Sequence, residues 1–308
     1  MSFQHETVLL HETVAALCPS PGGRWLDGTS GGGGHTALLL EMIGRDGSIY
    51  AMDRDPDALT NLRERFADEP AIQVIQGNFF QANQLVDAPL QGVLLDLGVS
   101  SHQLDTAERG FSYRLEAPLD CRMSREGMTA AELVNTLPEG DLRHLFWTLA
   151  QEKFATPIAR AIVRARAQKP IKTTTQLAEI IANAVPAAAR RGGHPARKAF
   201  MALRYACNGE LDGLEEALQN LFDMLIPGGR LAVISFNSLE DAAMKRVTKR
   251  LCAGCVCPGD FPECRCGIVP QARVPQKPLA PGADELERNP RARSAKLRVL
   301  EKLPNKKS

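Results

Sequence analysis

Asp27-Gly28-Thr29-Ser30-Gly31-Gly32-Gly33-Gly34-His35 is the stretch that decides the fold. Its four consecutive glycines follow a short strand, Arg24-Trp25-Leu26-Asp27, and precede an apolar helix from Thr36 to Met42. Glycines in that position let backbone N–H groups approach a ligand at a helix N-terminus. Outward from the loop, Ser48-Ile49-Tyr50-Ala51-Met52-Asp53 reads as a second strand, again ending in an acid. Asp55 is a good N-cap with Pro56 at the first helical position, so a helix is expected to about Phe66. Ala71 to Ile75 and Gly92 to Asp96 supply two further strands. Strands alternating with helices imply a doubly wound, mostly parallel α/β sheet of the Rossmann-like kind.

From about Thr106 to Asn208 the alternation stops, and helical stretches such as Thr129–Leu137, Glu139–Leu149, Pro157–Gln168 and Thr175–Val185 take over. It resumes with an amphipathic helix from Glu210 to Leu225, a Pro227-Gly228-Gly229 turn and a strand from Arg230 to Phe236. A helix from Asp241 to Leu251 and a last strand from Ser294 to Glu301 follow. The expected organisation is one discontinuous α/β domain, 1–105 with 209–308, interrupted by a helical insertion over 106–208.

Composition adds a second clue. The 308 residues are 44% hydrophobic and 24% charged, which excludes a disordered, collagen-like or disulfide-stapled chain. No apolar run reaches the roughly 18 residues of a membrane span, and Met1 to Leu10 does not read as a secretory signal. A cytoplasmic protein is expected. Net charge is only +1, yet Lys153 to Arg204 carries +10 and Glu285 to Ser308 carries +5, on an otherwise acidic body. Two basic segments on an acidic chain favour a nucleic-acid partner over a merely solvated face.

The glycine loop lacks a full G-x-G-x-x-G fingerprint, but Asp53 stands 20 residues beyond Gly33 at the end of the next strand, where a carboxylate can accept ribose hydroxyls. A nicotinamide-dinucleotide enzyme and an S-adenosylmethionine enzyme both fit that geometry. Three features favour S-adenosylmethionine. Asp27 precedes the glycines, where an acid can shape the loop and meet a methionine amino group. Gly77-Asn78-Phe79-Phe80 can hold an adenine by edge and face, and Pro227-Gly228-Gly229-Arg230-Leu231 precedes a late strand. Asp96 ends Leu94-Leu95-Asp96-Leu97-Gly98 at the sheet edge where α/β folds place ligands, and can accept a hydrogen bond from an amine. His11, His144 and His194 are isolated and no serine sits in a nucleophile elbow, so hydrolase readings have little support. Five of the eight cysteines fall in Cys252-x-x-Cys255-x-Cys257-x6-Cys264-x-Cys266, which suits a zinc knot or unmetallated thiols. No metal ligand is assigned.

Further motifs run the length of the chain: His5-Glu6-Thr7-Val8-Leu9-Leu10, Met52-Asp53-Arg54-Asp55-Pro56, Leu95-Asp96-Leu97-Gly98-Val99-Ser100-Ser101, Gln103-Leu104-Asp105, Arg109-Gly110-Phe111-Ser112 and Pro118-Leu119-Asp120. Ile158-Ala159-Arg160-Ala161-Ile162, Ile234-Ser235-Phe236, Ser238-Leu239-Glu240-Asp241 and Asn289-Pro290-Arg291-Ala292-Arg293-Ser294 continue the series. With them the chain resembles the bacterial 16S (small-subunit) ribosomal RNA cytosine-N4 methyltransferases. The resemblance implies a class I S-adenosylmethionine methyltransferase fold with a helical insertion for RNA recognition, acting on N4 of a decoding-region cytosine. It also implies cofactor contacts at Gly33, Gly34, His35, Asp53, Phe79, Asp96 and Gln103, with Asp96 catalytic, and phosphate contacts at Arg291, Arg293, Lys296 and Arg298. The small ribosomal subunit is the expected partner; a homodimer is neither required nor excluded.

The chain departs from the family pattern at Ser30, Gly32, His102, Ala117, Ala150, Met201 and Asn237, where Phe, Arg, Pro, Gly, Gly, Gln and His are usual. Several of these lie toward the substrate side. The alternative reading is therefore an RNA-binding or ribosome-assembly factor that retains S-adenosylmethionine with weakened catalysis. A third, an NAD(P) oxidoreductase on the same sheet, would be stabilised by NAD rather than by S-adenosylhomocysteine.

Overall fold

Trp25 and Leu26 are buried on a strand that needs cover on both faces, and that strand lies in the interior of the sheet. The computed structural model describes residues 7–254, 257 and 265–304. His5 and Glu6 of the N-terminal motif, and Cys255 and Cys264 of the cysteine cluster, lie outside them. The chain divides into two compact units, one formed up to Gly98 and from Gly213 onward, the other Val99–Asp212.

The first unit opens with α1 (Leu10–Leu17), β1 (Gly23–Asp27), α2 (Gly34–Ile43), β2 (Gly47–Asp53), α3 (Pro56–Arg65), β3 (Ile72–Gln76), α4 (Ala82–Leu85) and β4 (Leu90–Asp96). The second unit holds α5 (Ser101–Asp105), α6 (Ala130–Thr136), α7 (Glu139–Ala150), α8 (Ala155–Gln168), α9 (Thr174–Ala184) and α10 (Ala196–Asn208). The first unit then closes with α11 (Leu214–Asp223), β5 (Leu225–Ser235), α12 (Ser238–Leu251), β6 (Ala272–Arg273), α13 (Ala283–Arg288) and β7 (Lys296–Lys302).

The seven strands lie in the order β3-β2-β1-β4-β5-β7-β6. β1 to β5 are parallel, and β7 and β6 add antiparallel to the far edge. The winding direction reverses between β1 and β4, the place where doubly wound sheets open a ligand crevice. Asp27 is in register with Ala51 of β2 and Leu94 of β4. Asp53 and Asp96 therefore each stand two residues further along the neighbouring strands, at the same carboxyl edge. Asp55 caps α3 as expected, accepting the Asp57 N–H at 3.0 Å with Pro56 behind it.

One expected turn is different. Pro227-Gly228-Gly229 lies inside β5 as a bulge: pairing with β4 jumps from Leu90↔Leu225 to Gly92↔Arg230. The strand thus begins at Leu225, and the preceding helix stops at Asp223.

In the second unit, α6 and α9 start from capping boxes, Thr129 with Glu132 and Thr173 with Gln176. Their apolar faces close a core around Phe146, Ile158, Ile162, Leu177, Ile181 and Leu203. Val99 and Leu104 pack against that core, so this unit reaches beyond the 106–208 limits read from the sequence. Among the described residues no helix is long and apolar enough to cross a membrane.

Candidate functional site

The loop after β1 is pinned to the strands on both sides. Gly28 N donates to Leu94 O at 2.9 Å, and Ser30 N donates to Met52 O at 3.0 Å. Asp27 braces it from beneath: one carboxylate oxygen accepts the Thr29 N–H at 3.2 Å and the other the Thr36 hydroxyl at 2.7 Å. Only 1% of Asp27 is exposed, so it shapes the loop from inside. Gly33 caps α2 with φ 75, and Gly34 opens the helix so close to Thr7 that a Cβ there would collide with the threonine Oγ1. A side chain at either position would push the loop out of shape. His35 is buried in the first turn of α2.

The neighbouring strand ends converge on this loop. Asp53 accepts the Gly31 N–H at 2.8 Å and the Asp55 N–H at 2.9 Å, so it too holds the glycines in place. Each carboxylate oxygen has a second lone pair for a ligand hydroxyl. Phe79 starts the turn after β3, beside the loop: a Cβ at Gly28 would stand 3.1 Å from Phe79 Cβ. Phe80 meets it edge-on with ring centroids 4.8 Å apart. Asp96 closes β4, and its backbone N–H donates to Thr29 Oγ1 at 2.6 Å. Its Oδ1 is buried and has no hydrogen-bond partner among the described residues.

The structure thus gathers Gly33, Gly34, His35, Asp53, Phe79 and Asp96 along one edge of the sheet. Gln103 belongs to the second unit, where it is buried in α5 and its Oε1 accepts the Ser100 N–H at 3.1 Å. Sequence reading missed four groups: Thr29 on the loop, Thr36 in the first turn of α2, and Glu240 and Glu285, whose charges face Asp96. Thr29 and Thr36 flank the glycines and were visible as hydroxyls. Glu285 had no local signal.

Burial and mutual repulsion set the electrostatics. Desolvation pushes the Asp27 carboxyl up to about 6, with the charge of Asp53 adding to it against the hydrogen bonds of Thr36 and Thr29. Desolvation raises Asp53 as well, opposed by the backbone N–H groups that it accepts. Asp96 is raised well above the carboxylate range, by burial first and then by Asp27, Glu240 and Glu285. Such a set is a poor home for three anions and a good one for a ligand that brings positive charge. The glycine cradle, the partnerless Asp96 oxygen and the paired acids fit S-adenosylmethionine, whose sulfonium and ammonium are both cationic. Beside the loop lies a cleft of about 570 Å³ lined by Thr7, Gly32, Gly34, Arg65, Glu285 and Arg288, among others.

The basic segments divide in the structure. On the second unit Lys153, Arg160, Arg164, Lys169, Lys172 and Arg197 are exposed. Arg166 instead donates to Val134 O at 2.7 Å, and Arg204 pairs with Glu210 at 2.9 Å. Near the C-terminus Arg291 and Arg293 are exposed, whereas Arg298 and Lys296 pair with Asp241 at 2.6 and 3.6 Å. The tight pairing of Arg298, mostly buried, commits it to the fold, whereas Lys296 stays largely open to solvent.

The departures from the family pattern sit in ordinary backbone. None of Ser30, Gly32, His102, Ala117, Ala150, Met201 and Asn237 has a left-handed φ, so Ala117 and Ala150 carry no strain from lacking a glycine's freedom. Ser30 Oγ donates to Asp27 O at 3.0 Å. Asn237 caps α12, accepting from Leu239 N and Glu240 N, while Glu240 reaches back to Phe236 N at 2.8 Å. Among the described residues no group of three His, Cys, Asp or Glu is placed to hold a metal ion.

A model of the MraW methylase family matches residues 2–303. The Ribosomal RNA small subunit methyltransferase H of Heliobacterium mobile is 47% identical over 314 residues, covering 98% of this chain and 100% of that protein. The protein of the same name from Magnetococcus marinus is 49% identical over 318 residues, with the same coverage. Matched from end to end by one family model and by relatives of equal length, the chain belongs to the MraW methylase family.

Proposed function

We propose that the chain transfers a methyl group from S-adenosylmethionine to N4 of a cytosine in the decoding region of 16S ribosomal RNA, acting in the cytoplasm on the small ribosomal subunit. The observation that carries this reading is the Asp96 carboxylate: half-buried, raised, with its Oδ1 buried and unpartnered among the described residues, at the switch point beside the glycine loop.

The bound donor supplies an electrophilic methyl group on a sulfonium centre. Asp53 holds the ribose hydroxyls, Phe79 offers a face to the adenine, and the backbone at Gly33, Gly34 and His35 lets the donor approach the N-terminus of α2. An exocyclic cytosine amine is a weak nucleophile because its lone pair is delocalised into the ring. Asp96 Oδ1 accepts one N–H, localises that pair and orients it toward the methyl carbon. As the N–C bond forms and the C–S bond breaks, the nitrogen gives up a proton and Asp96 holds it. The cytosine has to leave its stack for this alignment. The exposed cations of the second unit, with Arg291 and Arg293, bind the surrounding phosphates without reading sequence.

A donor-binding assembly factor with weakened catalysis was the alternative. It rested on the substrate-side departures; the backbone at Ala117 and Ala150 is unstrained, Asn237 caps α12, and membership of a methylase family favours the enzyme. The test is transfer from labelled S-adenosylmethionine to small subunits lacking the native modification, with mass spectrometry of the digested nucleosides. N4-methylcytidine is the expected product. A subunit that stays unmethylated, or gains a methyl on another base, would refute the reading.

A further inference from the structure

Thr7-Val8-Leu9-Leu10 is part of a motif that the donor chemistry leaves without a task. Leu9 stands at the N-cap of α1 with φ 49 and ψ 38, a left-handed backbone unusual for leucine, and it is 1% exposed. That conformation is strained and needs an outside contact to fix it. The contact comes from the other end of the chain: Leu9 N donates to Glu285 Oε1 of α13 at 2.8 Å. Two residues before Leu9, Thr7 lies against Gly34 at the start of α2, in the place a Cβ would occupy. Thr7, Gly34 and Glu285 line the same cleft.

We infer that Glu285 is a positioning residue for the methyl-donor loop: by accepting the Leu9 N–H it holds Thr7 against Gly34 and so sets the shape of the glycine cradle. The inference rests on reading that loop as the donor site. A prop made by one side-chain acceptor has a defined chemical requirement. For the prop itself the oxygen is needed and the full charge is not, because Leu9 N–H is a neutral donor and a glutamine oxygen can take it; the charge that faces Asp96 adds only a smaller, separate attraction for a cationic donor. Glu285 acts through Thr7 and touches no reacting atom.

The experiment measures binding of S-adenosylhomocysteine to the full chain by calorimetry, with steady-state kinetics alongside. Glu285→Ala is expected to raise the Kd and the KM for S-adenosylmethionine about tenfold or more, with kcat at saturating donor changed far less. Glu285→Gln is expected to recover most of that affinity. Thr7→Gly, which removes the side chain the prop presses on Gly34, weakens binding in the same direction and supplies the test if Glu285→Ala does not fold. A lowered melting temperature with Kd unchanged in Glu285→Ala and Thr7→Gly would reduce Glu285 to a structural staple and overturn the inference. Equal losses in Glu285→Ala and Glu285→Gln would overturn it too, by showing that charge is what counts. A wild-type chain that binds neither S-adenosylmethionine nor its homocysteine product would refute the donor-site reading itself. Normal wild-type binding with unaffected variants refutes only the role of Glu285.

Discussion

Asp241 and Glu301 are surrounded by the chain's own cations, whereas Asp27, Asp53 and Asp96, in the same unit, face backbone N–H groups, hydroxyls and one another. Asp241 takes Arg298 and Lys245, with Lys296 nearby, and its carboxyl falls to about 2. Glu301 takes Arg230 and Arg273, and its carboxyl also falls. These acids are spent on the fold, tying α12 and β5 to β7. The three at the glycine loop are raised instead, which makes the free protein carry unfavourable potential at one edge of its sheet. A carboxylate neutralised from within is structural; a cluster left raised, at a switch point with a partnerless oxygen, is where an external cation belongs.

The difference can be broken first at Asp96. Asp96→Asn should lower the rate of methyl transfer to small subunits by about 10²- to 10⁴-fold, the range for removing a positioned proton acceptor. Binding of S-adenosylhomocysteine should persist in the same variant, and a native transfer rate would return Asp96 to the structural group. A core change in the second unit should do the reverse. Phe146 is fully buried, so Phe146→Ala is expected to cost about 3–5 kcal/mol by denaturant titration while leaving donor affinity intact in the folded protein.

Asp241→Asn is expected to cost about 1–3 kcal/mol, below the figure for a fully buried pair because Lys245 and Lys296 are open to solvent. The sign is fixed by the lowered carboxyl. Its stabilisation is complete above the ordinary carboxylate pKa near 4 and is lost as pH falls through about 2. Wild type should therefore lose stability across that window more steeply than Asp241→Asn. If the two acid limbs coincide, Asp241 does not belong with the spent acids. The smallest effect is expected on the second unit's exposed face, where Arg164→Ala should weaken subunit binding modestly and reduce the slope of log K against log salt by about one. An unchanged slope would remove Arg164 from the phosphate contacts.

Much of the site was readable because its residues lie at predictable places. The acids end strands, so alternation located Asp27, Asp53 and Asp96 together with the edge they share. The glycines sit between a strand and a helix, where few other tasks need them. Groups that act across distance were not readable. Thr29 reaches the Asp96 N–H over 67 positions and Glu285 reaches Leu9 over 276. Counting charge also overstated the polyanion face, since Arg166, Arg204 and Arg298 spend their donors inside the protein. The bulge in β5 looked like a turn because proline and two glycines mark both, and only pairing with β4 distinguishes them.

The most direct test of the central contrast is proton exchange on donor binding. Asp27, at about 6, is part-protonated near pH 6 in the free protein, and a bound cation favours its ionised form. Calorimetric titration with S-adenosylmethionine near pH 6, in two buffers of different ionisation enthalpy, should show protons released, with affinity falling as pH falls through 6. Binding with no proton exchange and constant affinity from pH 5 to 8 would contradict the account.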